Sequence, residues 1–263
     1  MTKQTFLITG ASDGIGAIYA DRLARRGHDL ILVARRADRL SELARRLEAE
    51  TGVRVEPLAA DLADPADLLS IERRLRDDAA ITGLVNNAGM ANEGTIVDAK
   101  ADYLSTMIDL NVRAVTRLSA AIAPRLAAAG RGTIINMTSV TALMPEAFTS
   151  VYPATKAFVL TFTEAMRAEL GPLGVRVQAV LPGVTRTQIW SEEAMAGLPA
   201  SMVMEVDDMV DAALAGLDMD EGVTIPSLPD SAAYDAYVAA RTALHPDLSL
   251  STPAARYGVP ARA

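Results

Sequence analysis

"TFLITGASDGIG" occupies Thr5 to Gly16, and its reading decides the fold. A short run of strand-forming residues leads into three glycines, Gly10, Gly14 and Gly16, and then into a helical pattern over about 14–27. Glycine lets the backbone turn sharply and lets an anion approach it closely. The helix behind then offers the anion its free N–H groups. The stretch reads as a strand, a phosphate-cradling turn and a helix. Its spacing is G-x-x-x-G-x-G rather than the commoner G-x-G-x-x-G. Taken alone, a plain glycine-rich strand–helix turn is the lesser alternative.

The same unit recurs along the chain. Strand-like runs are "DLILVA", "VRVEPLA", "GLVNN", "GTIINMT", "VRVQAVL" and "GVTIP". Most lack in/out alternation, as strands covered on both faces do. Helical patterns lie between them at about 37–50, 65–78, 102–129, 152–171, 206–217 and 230–243. This alternation implies an α/β fold with a doubly wound parallel sheet. No linker, repeat or charge block divides residues 1–263, so one domain is expected. The tail, about 246–263, holds Pro246, Pro253 and Pro260 and reads as irregular.

Composition narrows the function. Half of the 263 residues are hydrophobic, enough for a substantial core. The formal net charge of −8 argues against nucleic acid as a partner. There are no cysteines, hence no thiolate metal site, and the two histidines, His28 and His245, make a zinc site or histidine triad a poor expectation. No metal is expected. Neither a signal peptide nor a membrane-spanning stretch is read, so a cytoplasmic protein without a membrane partner is expected.

The unusual residues gather where strands end. Gly10 to Gly16 follow the first strand, Arg35 and Arg36 the second, and Asp61 the third. "NNAG" (Asn86 to Gly89) follows the fourth, Ser139 the fifth, and Pro182 and Gly183 the sixth. Carboxyl ends of parallel strands form the binding edge of an open α/β sheet. An acidic residue after strand two would bind a ribose 2′-hydroxyl and repel a 2′-phosphate. Here two arginines stand there, and arginine grips phosphate with a forked pair of hydrogen bonds. NADP(H) is therefore favoured, with NAD(H) possible. Arg36 reads equally as the first residue of a solvated helix. Asp13 is expected to turn away from a 2′-phosphate, which its carboxylate would oppose.

"TGASDGIG", Asp61, "NNAG", Asn111, Ser139, "YPATK" and "PGVTRT" together resemble the short-chain dehydrogenase/reductase family, in its short single-domain branch. The resemblance runs from the first strand to about Gly183, with a strand-like segment at 222–226. It implies the strand order 3-2-1-4-5-6-7 and a dinucleotide across the sheet edge. It implies a catalytic group of Asn111, Ser139, Tyr152 and Lys156, with Asn111 binding a water that extends a proton path from Lys156. Cofactor contacts are implied for Gly10, Ser12, Asp13, Gly14, Ile15, Gly16, Arg35, Arg36, Asp61, Leu62, Asn87, Ala88, Gly89, Tyr152, Lys156, Pro182, Gly183, Val184 and Thr187. Residues 183–205 correspond to a lid over the substrate. The helices at 102–129 and 152–171 correspond to those that pair in a homodimer or homotetramer.

The chemistry of the group can be argued from the residues. Reducing a ketone needs a hydride to carbon and a proton to oxygen, and nicotinamide handles the hydride. Tyr152 can give the proton, but a free tyrosine has a pKa of about 10. Lys156, four residues on, lies on the same helix face and would lower it. Pro153 fits if the helix begins near Ser150 or Val151, because a first-turn N–H has no helical partner to lose. Ser139 can hydrogen-bond the substrate oxygen. Trp190, Met195, Met202 and Met204, with Ile189 and Leu198, would give the lid an apolar inner face. Ala142, Leu143 and Met144 would form a second wall. Packing on the domain body or at a subunit contact is an equal alternative for these side chains. Ser139, Leu143 and Trp190 are the substrate contacts expected, and the substrate is an alcohol or carbonyl compound with an apolar body. A non-catalytic NADP(H)-binding protein of the same fold is the alternative function. A lyase or epimerase would need a further acid/base pair that the sequence does not offer.

Overall fold

The computed structural model describes residues 3–91, 95–147, 151–187 and 192–259. Strands β1 (Thr5–Thr9), β2 (Asp29–Ala34), β3 (Val55–Ala59), β4 (Ile81–Asn86), β5 (Gly132–Met137), β6 (Val175–Val180) and β7 (Val223–Thr224) form one sheet in the order β3-β2-β1-β4-β5-β6-β7. Every pairing is parallel. This is the expected doubly wound sheet.

The strands lack alternation because both faces are covered. Phe6, Ile8, Leu30, Leu32, Val85 and Ile135 point into one apolar layer. There they meet α1 (Gly14–Arg25), α2 (Ala37–Thr51) and α7 (Val206–Asp218), through Tyr19, Leu23, Leu40, Leu47, Met209 and Leu214 among others. Their neighbours Leu7, Ile31, Val33, Leu84 and Ile134 point the other way. They pack on α3 (Pro65–Asp77), α5 (Val115–Ala129) and α6 (Val151–Leu170) through Leu68, Ile71, Leu118, Ile122 and Met166. The helices start where their sequences allow. Asp13 caps α1 by accepting from the Gly14 N–H. Asp64 caps α3 with Pro65 in its first turn.

The pattern at 102–129 reads as one helix, but the structure divides it. α4 (Ala101–Ile108) runs into a π-helical turn, Asp109–Ala114, before α5 begins. The extra residue per turn re-aims Asn111, which is buried. α6 begins at Val151, so Pro153 falls in its first turn. Ser150, the suggested cap, lies outside the described residues.

Two compact units divide the chain, the first ending at Pro226 and the second beginning at Ser227. The second holds the helix α8 (Ala232–Thr242) and the short 3-10 turns His245–Asp247 and Ala255–Tyr257. None of its described residues is buried. Among the described residues no helix is long and apolar enough to cross a membrane.

A polar chain crosses the second apolar layer. Asn86 Nδ2 donates to Ser119 Oγ at 3.0 Å and to Asn136 Oδ1 at 2.9 Å. Asn136 Nδ2 donates to Thr163 Oγ1 at 2.9 Å. All four side chains are buried. They tie β4 and β5 to α5 and α6, and any one lost leaves a desolvated partner. Asn136→Ala should therefore cost about 1–3 kcal/mol in urea unfolding. With Asn86→Ala the cost should be clearly less than additive. Additive losses would show that the two amides act independently.

Candidate functional site

One cleft of about 400 Å³ follows the carboxyl edge of the sheet. Gly10, Asp13, Gly14 and Ile15 line it with Arg35 and Arg36 at one end, and Ser139, Tyr152 and Lys156 line the other. Asn87, Ala88 and Gly89, with Pro182, Gly183 and Thr187, form the stretch between.

The loop after β1 is built for close approach. Asn87 Nδ2 donates to the carbonyls of Thr9 at 2.9 Å and Gly10 at 3.3 Å. Thr9 Oγ1 in turn accepts from the Asn87 and Ala88 N–H groups. A Cβ on Gly16 would stand 2.4 Å from the Gly10 oxygen and 2.6 Å from Asn87 Nδ2. A Cβ on Gly10 would stand 2.8 Å from the same nitrogen. Only glycine fits at either place. The cradle lies open to the cleft at the start of α1, an arrangement that suits a pyrophosphate.

At the arginine end, Arg36 Nη2 and Nε donate to Ser12 Oγ at 3.1 and 3.3 Å. Asp13 does not turn away as expected. Its Oδ1 is held by the Gly14 N–H at 2.7 Å, which sends Oδ2 toward α2. There it accepts from Arg39 Nη1 at 2.9 Å and lies 3.4 Å from Arg36 Nη2. Arg39, in the first turn of α2, is not among the residues the sequence motifs single out.

The other end is assembled from β4, β5, the π turn and α6. Ser139 caps the 3-10 turn Val140–Ala142, accepting from the Thr141 N–H at 3.2 Å, and is hydrogen-bonded to Tyr152. Lys156 is buried, and its Nζ donates to the Met137 carbonyl at 3.1 Å and lies 5.6 Å from the Tyr152 ring centre. Thr138 Oγ1 holds the Lys156 carbonyl at 2.7 Å. Asn111 Oδ1 accepts from the Met90 N–H, while its Nδ2 donates to the Met90 carbonyl and to Thr155 Oγ1. Its side chain thus fastens the tail of β4 to α6, and both its ends are engaged. A water held by Asn111, as the resemblance implies, would use the second lone pair of Oδ1 or the backbone. A Cβ on Gly89 would come within 3.2 Å of Asn111 Oδ1 and 3.5 Å of Lys156 Nζ.

Burial sets the electrostatics. It depresses Lys156 from 10.5 to about 8. Burial also raises Tyr152, against a smaller lowering by the Ser139 hydrogen bond. The expected lowering of Tyr152 by Lys156 is not seen: only the Ser139 hydrogen bond lowers it, and desolvating the phenol costs its anion more than that bond returns.

Other expected contacts are placed differently. Asp61 and Leu62 follow β3 and are not in the cleft lining: Asp61 accepts from the Ala63 N–H, and Leu62 packs into the second apolar layer. Thr185 rather than Val184 faces the cleft, and Met90, Met137 and Thr138 join it. These three sit beside recognised motifs, but nothing in their residue types marks them. Leu143 packs on the small cluster of Leu160, Ala179 and Leu181. In the lid region, Met204 packs on the first apolar layer and bridges Thr185, while Met202 is exposed. Packing on the body, the alternative reading, holds for Met204. Met195 lines a separate groove with Asp13, Ala17, Ile18 and Arg186. Ile189 and Trp190 lie outside the described residues.

The model of the family described as short chain dehydrogenase matches residues 4–196. Very-long-chain 3-oxoacyl-CoA reductase-A of Danio rerio is 32% identical over 188 residues, 70% of this chain and 58% of the relative. The chain thus spans less than two thirds of that relative's length. A short-chain dehydrogenase from Sphingobium yanoikuyae, solved in complex with NADPH, is 53% identical, with 97% of this chain and 99% of that one covered and a TM-score of 0.93. The bulky-bulky ketone specific alcohol dehydrogenase from Comamonas testosteroni is 45% identical, covering 98% and 99%, with a TM-score of 0.91.

The buried lysine makes ligand-free stability depend on pH. Lys156 stands at about 8 in the fold against 10.5 when exposed. Above pH 8 the native protein has released a proton that the unfolded chain still holds, so stability rises with pH across that window. Relative to Lys156→Met, the wild type should gain up to about 3 kcal/mol between pH 8 and 10.5 in urea unfolding. A difference that stays flat across this range would show that Lys156 is not shifted.

Proposed function

Because the chain belongs to the short-chain dehydrogenase family, we propose that it is an NADP(H)-dependent oxidoreductase interconverting an alcohol and a ketone with an apolar body. One observation carries the reading: Ser139, Tyr152 and Lys156 converge at one end of a cleft whose other end holds a glycine cradle and two arginines. A dinucleotide with its phosphates at Gly10–Gly16 would reach from Arg35 and Arg36 to Tyr152. Bound there, its nicotinamide supplies or accepts the hydride.

The chain's own residues do the rest. Tyr152 gives the proton to the carbonyl oxygen in reduction and takes it back in oxidation. Its raised pKa keeps the phenol protonated, the form that reduction uses. Ser139, hydrogen-bonded to Tyr152, is positioned to share the substrate oxygen and to steady charge as it develops. Lys156 keeps a cation behind Tyr152 at neutral pH and has further N–H donors for a ribose. Asn111 acts by fixing Met90 and Thr155 around these groups.

Two features favour an apolar substrate. Met90 and Met137 line the cleft, and soft thioether side chains adapt to bulky apolar groups. The Comamonas testosteroni relative is specific for bulky-bulky ketones. We also propose a homodimer or homotetramer through α4, α5 and α6, on which Phe158 is exposed and stacked on Phe162.

NADPH oxidation measured against a ketone panel tests the function. Diaryl and aryl-alkyl ketones should be turned over in preference to charged sugars. Tyr152→Phe should lower kcat by about 10²–10⁴-fold, while NADPH binding by fluorescence titration is retained. Undiminished turnover by Tyr152→Phe would remove Tyr152 from the role. Tight NADPH binding with no turnover on the panel would instead identify a non-catalytic NADP(H)-binding protein.

A further inference from the structure

The arginine end contains a contact that a phosphate site would not be expected to hold. Arg35, Arg36 and Arg39 are all exposed, and the first two line the cleft. Arg36 and Arg39 already share one acceptor, Asp13 Oδ2, at 3.4 and 2.9 Å. Arg36 also reaches Ser12 Oγ. The carboxylate is not free to leave, because Oδ1 caps α1 through the Gly14 N–H at 2.7 Å. Asp13 and Arg36 both line the cleft. An anion drawn in by these arginines meets a fixed negative charge on two of them.

We propose that Asp13 sets how strongly this site prefers NADP(H) over NAD(H), by competing with the adenosine 2′-phosphate for Arg36 and Arg39, and that Arg39 is a third arginine recognising that phosphate. The inference rests on the NADP(H) reading above. In the free protein the carboxylate neutralises one of the three guanidinium groups and holds two of them close to Ser12. When the 2′-phosphate enters, Arg39 and Arg36 exchange Asp13 Oδ2 for phosphate oxygens, to which a guanidinium offers paired donors. The displaced carboxylate stays within the same pocket and opposes the phosphate charge. A hydroxyl, as on NAD(H), carries no charge for Asp13 to repel. The carboxylate therefore weakens one cofactor and leaves the other nearly unchanged.

Calorimetric titration with 2′,5′-ADP and 5′-AMP tests this without catalysis, because the two ligands differ only in the 2′-phosphate. Asp13→Asn keeps an acceptor for the Gly14 N–H and removes the charge. It should bind 2′,5′-ADP about three- to tenfold more tightly, as expected for relieving two exposed charge contacts, with 5′-AMP changed less than about twofold. Arg39→Gln should weaken 2′,5′-ADP by about three- to tenfold and spare 5′-AMP. Melting temperatures close to wild type for both variants show that the fold is kept. If Asp13→Asn leaves 2′,5′-ADP unchanged or weaker while wild type still prefers it over 5′-AMP, Asp13 is a tether and not a competitor, and the proposal is overturned. An Arg39→Gln protein with wild-type affinity removes Arg39 from the site. If wild type shows no preference for 2′,5′-ADP and Arg35→Ala changes nothing, the NADP(H) reading itself fails.

Discussion

The side-chain amide of Asn87 sits where three segments must almost touch. It donates to Thr9 and Gly10 carbonyls from the end of the neighbouring strand. It can do so only because Gly10 and Gly16 have no side chain to occupy the same space. This one contact fixes the height of the β1–α1 turn above the sheet edge and fixes where β4 leaves it. The cradle at α1 and the path of Ala88, Gly89 and Met90 follow from it. Those residues carry the cleft toward Lys156. A side chain at either glycine would separate the two strand ends and open the site from its floor.

Asn111 does at the far end what Asn87 does at the near end. Each is an amide that binds backbone groups of a strand's tail and ties them to another element. Asn111 reaches Met90 only because the helix at 101–129 widens to a π turn at Asp109–Ala114. A regular α-helix would rotate residues beyond that point by about 100° per residue skipped, and the amide would miss its partners. The irregularity is thus a positioning device. It holds Thr155, and through it the first turn of α6, in register with β4.

Much of this was legible in the sequence, and the exceptions are instructive. The edge position of Gly10 to Gly16, Asn87, Ser139 and Pro182, and the shared face of Tyr152 and Lys156, follow from local patterns, whereas the strand order comes only with the family resemblance. Apolar runs, glycine spacing and a four-residue interval are properties of short stretches. Asp13 resisted because its direction depends on two contacts at once, a cap to its own helix and a pair of arginines on the next. Arg39 resisted because an arginine on a polar helix face looks like solvation until the facing loop is known. Asp61 follows β3 as expected, yet the side chain of Leu62 turns into the core. Leu143 and Met204 show the same limit: hydrophobicity says that a side chain will be buried, not against what.

The pairing of a raised tyrosine with a depressed lysine follows from one cause. Both shifts come from burial, which penalises whichever form carries charge. The phenol therefore keeps its proton and the ammonium holds its proton less tightly, each moving toward neutrality. At neutral pH the ammonium, at about 8, is still mostly charged, but its hold on the proton is weakened. It is the partner groups that restore charge: Ser139 stabilises the phenolate, and acceptors around Lys156, beginning with the Met137 carbonyl, stabilise the ammonium. A ribose placed against Lys156 would add acceptors and favour its charged form. A charged Lys156, its Nζ 5.6 Å from the Tyr152 ring centre, would then lower Tyr152. The Tyr–Lys spacing read from "YPATK" is therefore necessary for tuning but does not set its size. That depends on how many acceptors surround the buried ammonium when the cleft is filled.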